Sequence, residues 1–388
     1  MPSPDEPPVG TRRVIDRDEL AAWLRLIETP KVGRESARRL LAAFGSPQAV
    51  FDAPTRAIGE VVGAAASDAL AAAPETLEAL IELTWSWLGA KADEARHIIT
   101  LGDPLYPPAL LETADPPLLL YAQGRAELLR AAAIAVVGSR NPTRQGTDNA
   151  RAFSEQLSRA GLTVVSGLAL GVDAAAHEGG LEGAASTVAV VGTGLDRVYP
   201  RRNLALAHRI ALRGLMVSEY PIGMPPLPAN FPIRNRIIAG LARGTLVVEA
   251  ALQSGSLITA RMALEASRDV FAIPGSIHSP QSRGCHALIK QGAKLVDSAQ
   301  DILEELKLPD APGAAPSAGS APSAATSSAT PPEEPLLAAL GFDPVTLDAL
   351  VARTGCSPAE LSIRLLELEL EGRVARLPGQ LFQRVGHG

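Results

Sequence analysis

The sequence predicts an α/β protein: a Rossmann-like, doubly wound parallel sheet, with a helical domain before it and a winged-helix domain after it. Three observations predict this. Between residues 133 and 273, short β-branched runs alternate with helical stretches, and most of these runs lead into a glycine-containing loop. Buried strands alternating with helices form parallel sheets with helices on both faces. Residues 15–92 instead carry apolar side chains at helical spacing. Residues 307–334 are mainly Ala, Pro, Ser, Gly and Thr with almost no large apolar side chain, which separates residues 335–388 from the rest.

The expected domains are residues 1–95, 96–306 and 335–388, joined across a disordered linker at 307–334. In the first, which begins on a disordered stretch, Trp23, Leu24 and Ile27, then Ala37, Leu40, Leu41 and Phe44, repeat with a helical period. Pro30-Lys31-Val32-Gly33 lies between these helices. The arrangement reads as an ordinary helical corner, or as a SAM or helix-hairpin-helix-like domain whose turn N–H groups can meet a DNA phosphate. Residues 96–130 form a Pro-punctuated connector ending in a short apolar strand around Leu118–Tyr121.

In the central domain, strands are expected at Ile134–Val137, Leu162–Val165, Val188–Val191, Leu246–Val248 and Val270–Ile273. A helix capped by Thr147 is expected to run to Ala160. The linker composition cannot bury enough apolar surface to offset the entropy of ordering. Beyond it, three helices beginning near Leu336, Thr346 and Ser357, and a hairpin over Val374–Phe382, suggest the winged helix.

Ligands of such sheets sit at the carboxyl ends of the strands. Three glycine loops fall there: Gly138-Ser139-Arg140, Ser166-Gly167-Leu168, and Gly192-Thr193-Gly194. Each precedes a helix and so offers N–H groups and a positive helix end to an anion. Ser254-Gly255-Ser256 opens another helix as an anion cup or as polar loop closure.

The net charge is −6, which excludes a globally basic nucleic-acid coat. Arginine is nonetheless concentrated locally. Residues 220–245 hold Arg234, Arg236 and Arg243 with no acid, and residues 186–213 hold Arg197, Arg201, Arg202, Arg209 and Arg213 against Asp196 alone. Arg140 and Arg144 stand on the first loop. Guanidinium forks on one rim hold phosphates or make internal salt bridges. Phe231 either stacks a base, as aromatics do in single-strand grooves, or packs in the core.

The two cysteines, Cys285 and Cys356, form no CxxC pair, so neither a disulfide framework nor a zinc site is expected, and the cytosol is the expected compartment. The N-terminal MPSPDEPPVG is no signal peptide, and no apolar run is long enough to span a bilayer. GxxxxGK[ST] and HExxH are absent, so a P-loop ATPase and that metalloprotease class are not expected. Asp173 and His177, four residues apart at a helix start, are either an acid–base pair or a favoured helix N-terminus with a packed histidine. The second reading is preferred.

The ordered motifs resemble the DprA/Smf family. They are Gly138-Ser139-Arg140; Ser166-Gly167-Leu168-Ala169 with Gly171-Val172-Asp173 and Ala176-His177; Tyr199-Pro200 with Asn203; Phe231-Pro232-Ile233-Arg234-Asn235-Arg236; Glu249-Ala250 with Ser254-Gly255-Ser256; Pro274-Gly275; and Gly292-Ala293. The resemblance covers residues 96–305 most strongly. It implies a single-stranded-DNA-binding mediator of natural transformation that helps load RecA. The absence of a Walker motif, a metal cluster and an intact PGGxGT motif predicts no turnover, and no cofactor is expected; the resemblance also implies a homodimer through the central domain. It places Arg140, Phe231, Arg234 and Arg236 in the DNA pocket; Gly138, Ser139, Ser166, Gly167, Asn235, Ser254, Gly255 and Ser256 complete the expected site. Where some members carry a basic residue three positions before the Phe, this chain has Pro228. The competing reading is a nucleotide-binding protein or a nucleotide phosphoribohydrolase-like enzyme on a related fold, whose PGGxGT motif is broken here at Pro274-Gly275-Ser276-Ile277.

Overall fold

The computed structural model describes residues 15–307, 335–340, 344–377 and 379–384. The linker expected at 307–334 lies, Lys307 apart, outside the described residues, as does the N-terminal decapeptide. Two compact units divide the chain after Ala311.

The first unit begins with six helices: α1 (Arg17–Glu28), α2 (Arg34–Phe44), α3 (Pro47–Asp52), α4 (Thr55–Val62), α5 (Ala64–Leu70) and α6 (Leu77–Gly89). Asp16 caps α1 by accepting from the Glu19 N–H. Their buried stripe of Leu20, Trp23, Leu24, Leu40, Val50 and Trp87 continues onto Ile98, Leu119 and Tyr121 of the sheet. The helical domain therefore shares its core with the sheet edge, and no packing gap falls at residue 95.

The sheet has nine strands: β1 (Arg96–Thr100), β2 (Leu119–Gly124), β3 (Ala133–Val137), β4 (Thr163–Ser166), β5 (Thr187–Val191), β6 (Leu215–Ser218), β7 (Gly244–Val247), β8 (Asp269–Ala272) and β9 (Lys294–Leu295). Their order is β1-β2-β6-β5-β4-β3-β7-β8-β9. From β6 to β9 every pairing is parallel, whereas β1–β2 and β2–β6 are antiparallel. The sheet is thus mixed, and β1, β6 and β9 join the strands anticipated from the sequence. Every residue of β3 and β5 is buried, because helices cover both faces. These helices are α7 (Pro108–Leu111), α8 (Arg144–Arg159), α9 (Val172–Gly180), α10 (Leu204–Arg213), α11 (Asn230–Leu241), α12 (Ser256–Glu265), α13 (Arg283–Lys290) and α14 (Ala299–Glu305). Two apolar layers result, one around Val137, Val190 and Ile237, the other around Val136, Leu157 and Phe271.

Helix α8 starts one turn earlier than expected. Its cap is Thr143, not Thr147: the Thr143 hydroxyl accepts from the Gly146 N–H at 2.9 Å. Arg144 accordingly belongs to the helix and lies 3.9 Å from Asp148, not on the loop. Arg213 and Arg243 precede β6 and β7, so they stand at the amino-terminal edge of the sheet, opposite the glycine loops.

The second unit holds α15 (Pro335–Leu340), β10 (Val345–Thr346), α16 (Leu347–Thr354), α17 (Pro358–Leu370), β11 (Val374–Leu377) and β12 (Leu381–Arg384). The sheet order is β10-β12-β11, so the expected hairpin gains a third strand. Leu336, Leu340, Leu350, Leu361, Leu365, Leu368 and Phe382 form its own core.

Candidate nucleic-acid interface

The strand order reverses between β3 and β7: the chain leaves β3 toward β4 on one side and returns from β6 to β7 on the other. At such a switch point the loops from the two carboxyl ends diverge and open a crevice. A cavity of about 690 Å³ lies there. One wall is the loop after β3, with Gly138, Ser139, Arg140 and Asn141. Facing it is the loop into α12, with Gln253, Ser254, Gly255 and Ser256. Helix α11 closes the cavity with Phe231, Arg234, Asn235 and Ile238, spaced three and four residues apart on one helical face.

Arg234 makes the floor. Only 5% of it is exposed, its Nε is buried without a hydrogen-bond partner, and it makes no ion pair with another side chain. Burial pulls its pKa down to about 10; Asp173 opposes the shift and Arg140 adds to it. The guanidinium still carries its proton at neutral pH. It lies over Gly167, where an added Cβ would sit 1.5 Å from Nη1. Arg140, exposed at the mouth, likewise makes no hydrogen bond or ion pair among the described residues.

The other charged groups nearby are engaged by the protein. Asp173 accepts from the N–H groups of Gly167 at 3.1 Å and Ala169 at 3.3 Å. Burial raises its pKa against the pull of Arg234 and those two bonds. His177 Nε2 accepts from the Leu168 N–H, its Nδ1 lies 2.7 Å from the Thr187 hydroxyl, and burial pushes its pKa down to about 3. It is neutral and structural, so the acid–base pair is not formed. Glu249 accepts from the Thr143 N–H at 2.9 Å and from its hydroxyl at 2.5 Å, at the N-terminus of α8. The protein's own carboxylates therefore fill two of the anion seats that the glycine loops offered. At the start of α12 the Ser254 hydroxyl accepts from the Ser256 N–H at 3.3 Å and lies 2.7 Å from the Ser256 hydroxyl, and both serines line the cavity.

Phe231 is half-buried. Its ring packs on Gly192, where a Cβ would approach it to 3.2 Å, and lies 5.6 Å from the ring of Tyr199, centroid to centroid. Tyr199 is 50% exposed, so an aromatic pair borders the cavity. Asn141, Tyr199, Gln253 and Gln281 line the cavity without having been assigned to it from sequence; Gln281 donates to the Asn141 carbonyl at 3.3 Å. Only Tyr199 carried a signal, inside the Tyr199-Pro200 motif. Pro228 also lines the cavity, so no cation stands there.

Three expected site residues lie elsewhere. The Ser166 hydroxyl donates to the Val136 carbonyl at 2.7 Å and braces β4 on β3. Gly167 lies beneath Arg234 and gives it room. Arg236 is two residues past Arg234, about 200° around the helix, and points away from the cavity into Asp115 and Glu219. It makes internal ion pairs, as do Arg197 with Asp196 and Arg209 with Glu182.

Comparison with known proteins decides the family. The model of DNA recombination-mediator protein A matches residues 97–307. The chain belongs to the DNA recombination-mediator protein A family. Models of the family's N-terminal HHH domain and winged-helix domain match residues 17–57 and 320–380. Among curated relatives of this family member, Protein Smf of Escherichia coli is 44% identical over 305 residues, 77% of this chain and 79% of its own length. DNA processing protein DprA of Streptococcus pneumoniae is 50% identical over 205 residues, 53% of this chain and 72% of its own. The S. pneumoniae DprA crystal structure superposes with a TM-score of 0.64 at 37% identity, covering 75% of this chain and 98% of that one. DNA processing protein A of Helicobacter pylori, solved for its single-stranded DNA binding mode, aligns with a TM-score of 0.50 at 30% identity, covering 55% and 95%.

Proposed function

We propose that this chain binds single-stranded DNA in the switch-point cavity and acts as a recombination mediator that protects incoming strands and helps load RecA in the cytosol. The observation that carries the reading is the unpaired guanidinium of Arg234 at the cavity floor, with unpaired Arg140 at its mouth. Asp173 offsets the burial of this cation only in part, and a buried cation short of hydrogen-bond partners is costly unless a ligand anion completes it. Two uncommitted arginines and an adjacent aromatic pair match the phosphates and bases of a single strand. Family membership and the H. pylori relative support the same ligand. The absence of turnover belongs to this reading too: Asp173, His177 and Glu249 are each held by internal hydrogen bonds and are not free for proton transfer. Self-association through the α/β domain rests on the family resemblance alone.

Titration of a labelled oligonucleotide against salt tests the proposal. Each phosphate neutralised contributes a slope of about −0.7 in log K against log salt. Arg140→Ala, which removes no internal contact, should weaken binding and flatten the slope by about one such step. Phe231→Ala should cost roughly 1–3 kcal/mol through lost stacking. Wild-type affinity in both variants would place the ligand elsewhere. Release of free base from AMP or dAMP, lost in a cavity variant, would favour the enzyme.

A further inference from the structure

Arg236 is the most heavily engaged arginine of α11, and its partners lead out of the DNA-binding domain. Its Nη2 donates to Glu219 at 2.6 Å and its Nε donates to Asp115 at 3.1 Å. Asp115 belongs to the connector between α7 and β2, and it also receives two arginines of the N-terminal domain. Arg34 donates from Nε to Asp115 Oδ2 at 2.7 Å, and Arg38 donates from Nη1 to Oδ1 at 2.7 Å. Arg38 extends the same fork to the Pro116 carbonyl at 3.2 Å. Arg34 also lies 3.8 Å from Glu219.

Three guanidiniums thus share two carboxylates across four parts of the chain: α2, the connector, the segment after β6 and α11. The network is partly sheltered: the side chains of Arg236 and Glu219 are 15% and 12% exposed. Hydrogen bonds from Arg38 and Arg236 outweigh the effect of burial and hold Asp115 below its ordinary pKa. Charge-assisted forks of this kind fix orientation as well as adding energy. Arg34 begins α2, directly after the helix-hairpin-helix turn, and the anion it holds is a carboxylate of this chain.

We propose that Asp115 is a brace through which the N-terminal helical domain sets the position of α11, and that Arg236 is a positioning residue for the DNA cavity. Helix α11 carries Phe231, Arg234 and Asn235 on its cavity face and Arg236 on the opposite face. The brace therefore holds the helix from behind. Without Asp115, Arg34, Arg38 and Arg236 would face one another with Glu219 alone between them, and α2 and α11 would be driven apart. This inference rests on the cavity being the DNA site.

Asp115→Asn gives the decisive test, because the two views differ in sign. The substitution is nearly isosteric and removes one negative charge near a site for a polyanion, so electrostatics alone predicts tighter binding. The brace predicts weaker binding, by about fivefold or more, the low end of couplings between linked sites. The full-length protein is titrated with a labelled oligonucleotide over a range of salt, well below each variant's melting temperature. Arg236→Met should weaken binding while leaving the salt slope at the wild-type value, since no phosphate contact is lost. The double variant should be no weaker than the worse single one, because both act through the same contact. Arg236→Lys, which keeps the charge but not the fork, should recover binding only in part. Asp115→Asn binding as tightly as wild type or more tightly, or Arg236→Met flattening the slope by about 0.7, would overturn the proposal. Failure of the wild type itself to bind would instead remove the DNA reading on which the brace depends.

Discussion

A Cβ at Gly167 would lie 1.5 Å from Nη1 of Arg234 and 2.5 Å from its Cζ. The atoms it meets are the far end of a flexible side chain, so Gly167→Ala should fold and displace the guanidinium instead. Oligonucleotide affinity should then fall to about that of Arg140→Ala or below, with the melting temperature little changed. An alanine variant with wild-type affinity would show that the seat of Arg234 over Gly167 is not needed for binding. At this scale the sequence was an uneven guide. Gly138, Ser139, Arg140, Phe231, Arg234, Asn235, Ser254, Gly255 and Ser256 all come to the cavity. Arg236 does not, because two residues along a helix is more than half a turn. The nearby acids Asp115 and Glu219 are 121 and 17 residues away in the chain, and no local pattern joins them to it.

The loop between β4 and α9 is held by a set of buried polar contacts. Leu168 adopts a positive φ of 58°, an unfavourable conformation for a residue with a Cβ. Its N–H reaches His177, and its carbonyl accepts from Asn203 at 2.9 Å. The pH dependence of this element follows from His177. Its pKa is about 3 in the folded state, against 6.5 for the free side chain. Between these values the unfolded chain binds a proton that the folded chain does not. The stability contributed by His177 is therefore complete above about pH 6.5 and lost as pH falls toward 3. Asp173, whose pKa is raised by burial, acts in the opposite sense, so a difference measurement isolates the histidine. The stability gap between wild type and His177→Gln, from urea unfolding, should be widest near pH 7.5 and narrower at pH 5. A gap independent of pH would refute the buried neutral imidazole. The same element shows why glycine loops overstate anion sites. Asp173 fills one and Glu249 another, and Glu249 reaches α8 from 106 residues away.

Across the whole molecule, the winged-helix unit combines a DNA-binding architecture with an unfavourable charge. Helix α17 and the residue after it carry Glu360, Glu367, Glu369 and Glu371, and its one arginine, Arg364, is paired with Glu367 at 2.5 Å. Ile363, Leu366 and Leu370 are exposed at 64%, 56% and 82%. Phosphate neutralisation dominates affinity for duplex DNA, and this helix offers almost none. The isolated unit should give no sequence-specific duplex shift in a gel at physiological salt. Tight, selective binding would assign it a regulatory role on duplex DNA. Its core was legible in the leucine spacing, with Leu361, Leu365 and Leu368 buried as a helical stripe. Leu366 and Leu370 face outward.

The sequence by itself determined the alternation of strands and helices, the placing of the glycine loops at the strand ends, and the ordered motifs that mark the family. Each of these is local, written in the period of side chains along a strand or a helix. Tertiary structure alone decided three further features. β1 and β6, with β2 between them, form an antiparallel edge, since pairing partners lie far apart in the chain. The N-terminal helices and the sheet form one core, through contacts such as Trp87 on Tyr121 at 6.1 Å. And of many arginines, Arg140 and Arg234 are left unpaired at the cavity while Arg236 is consumed by the brace. Which cation remains free depends on where every carboxylate ends up in space, and a one-dimensional pattern does not contain that information.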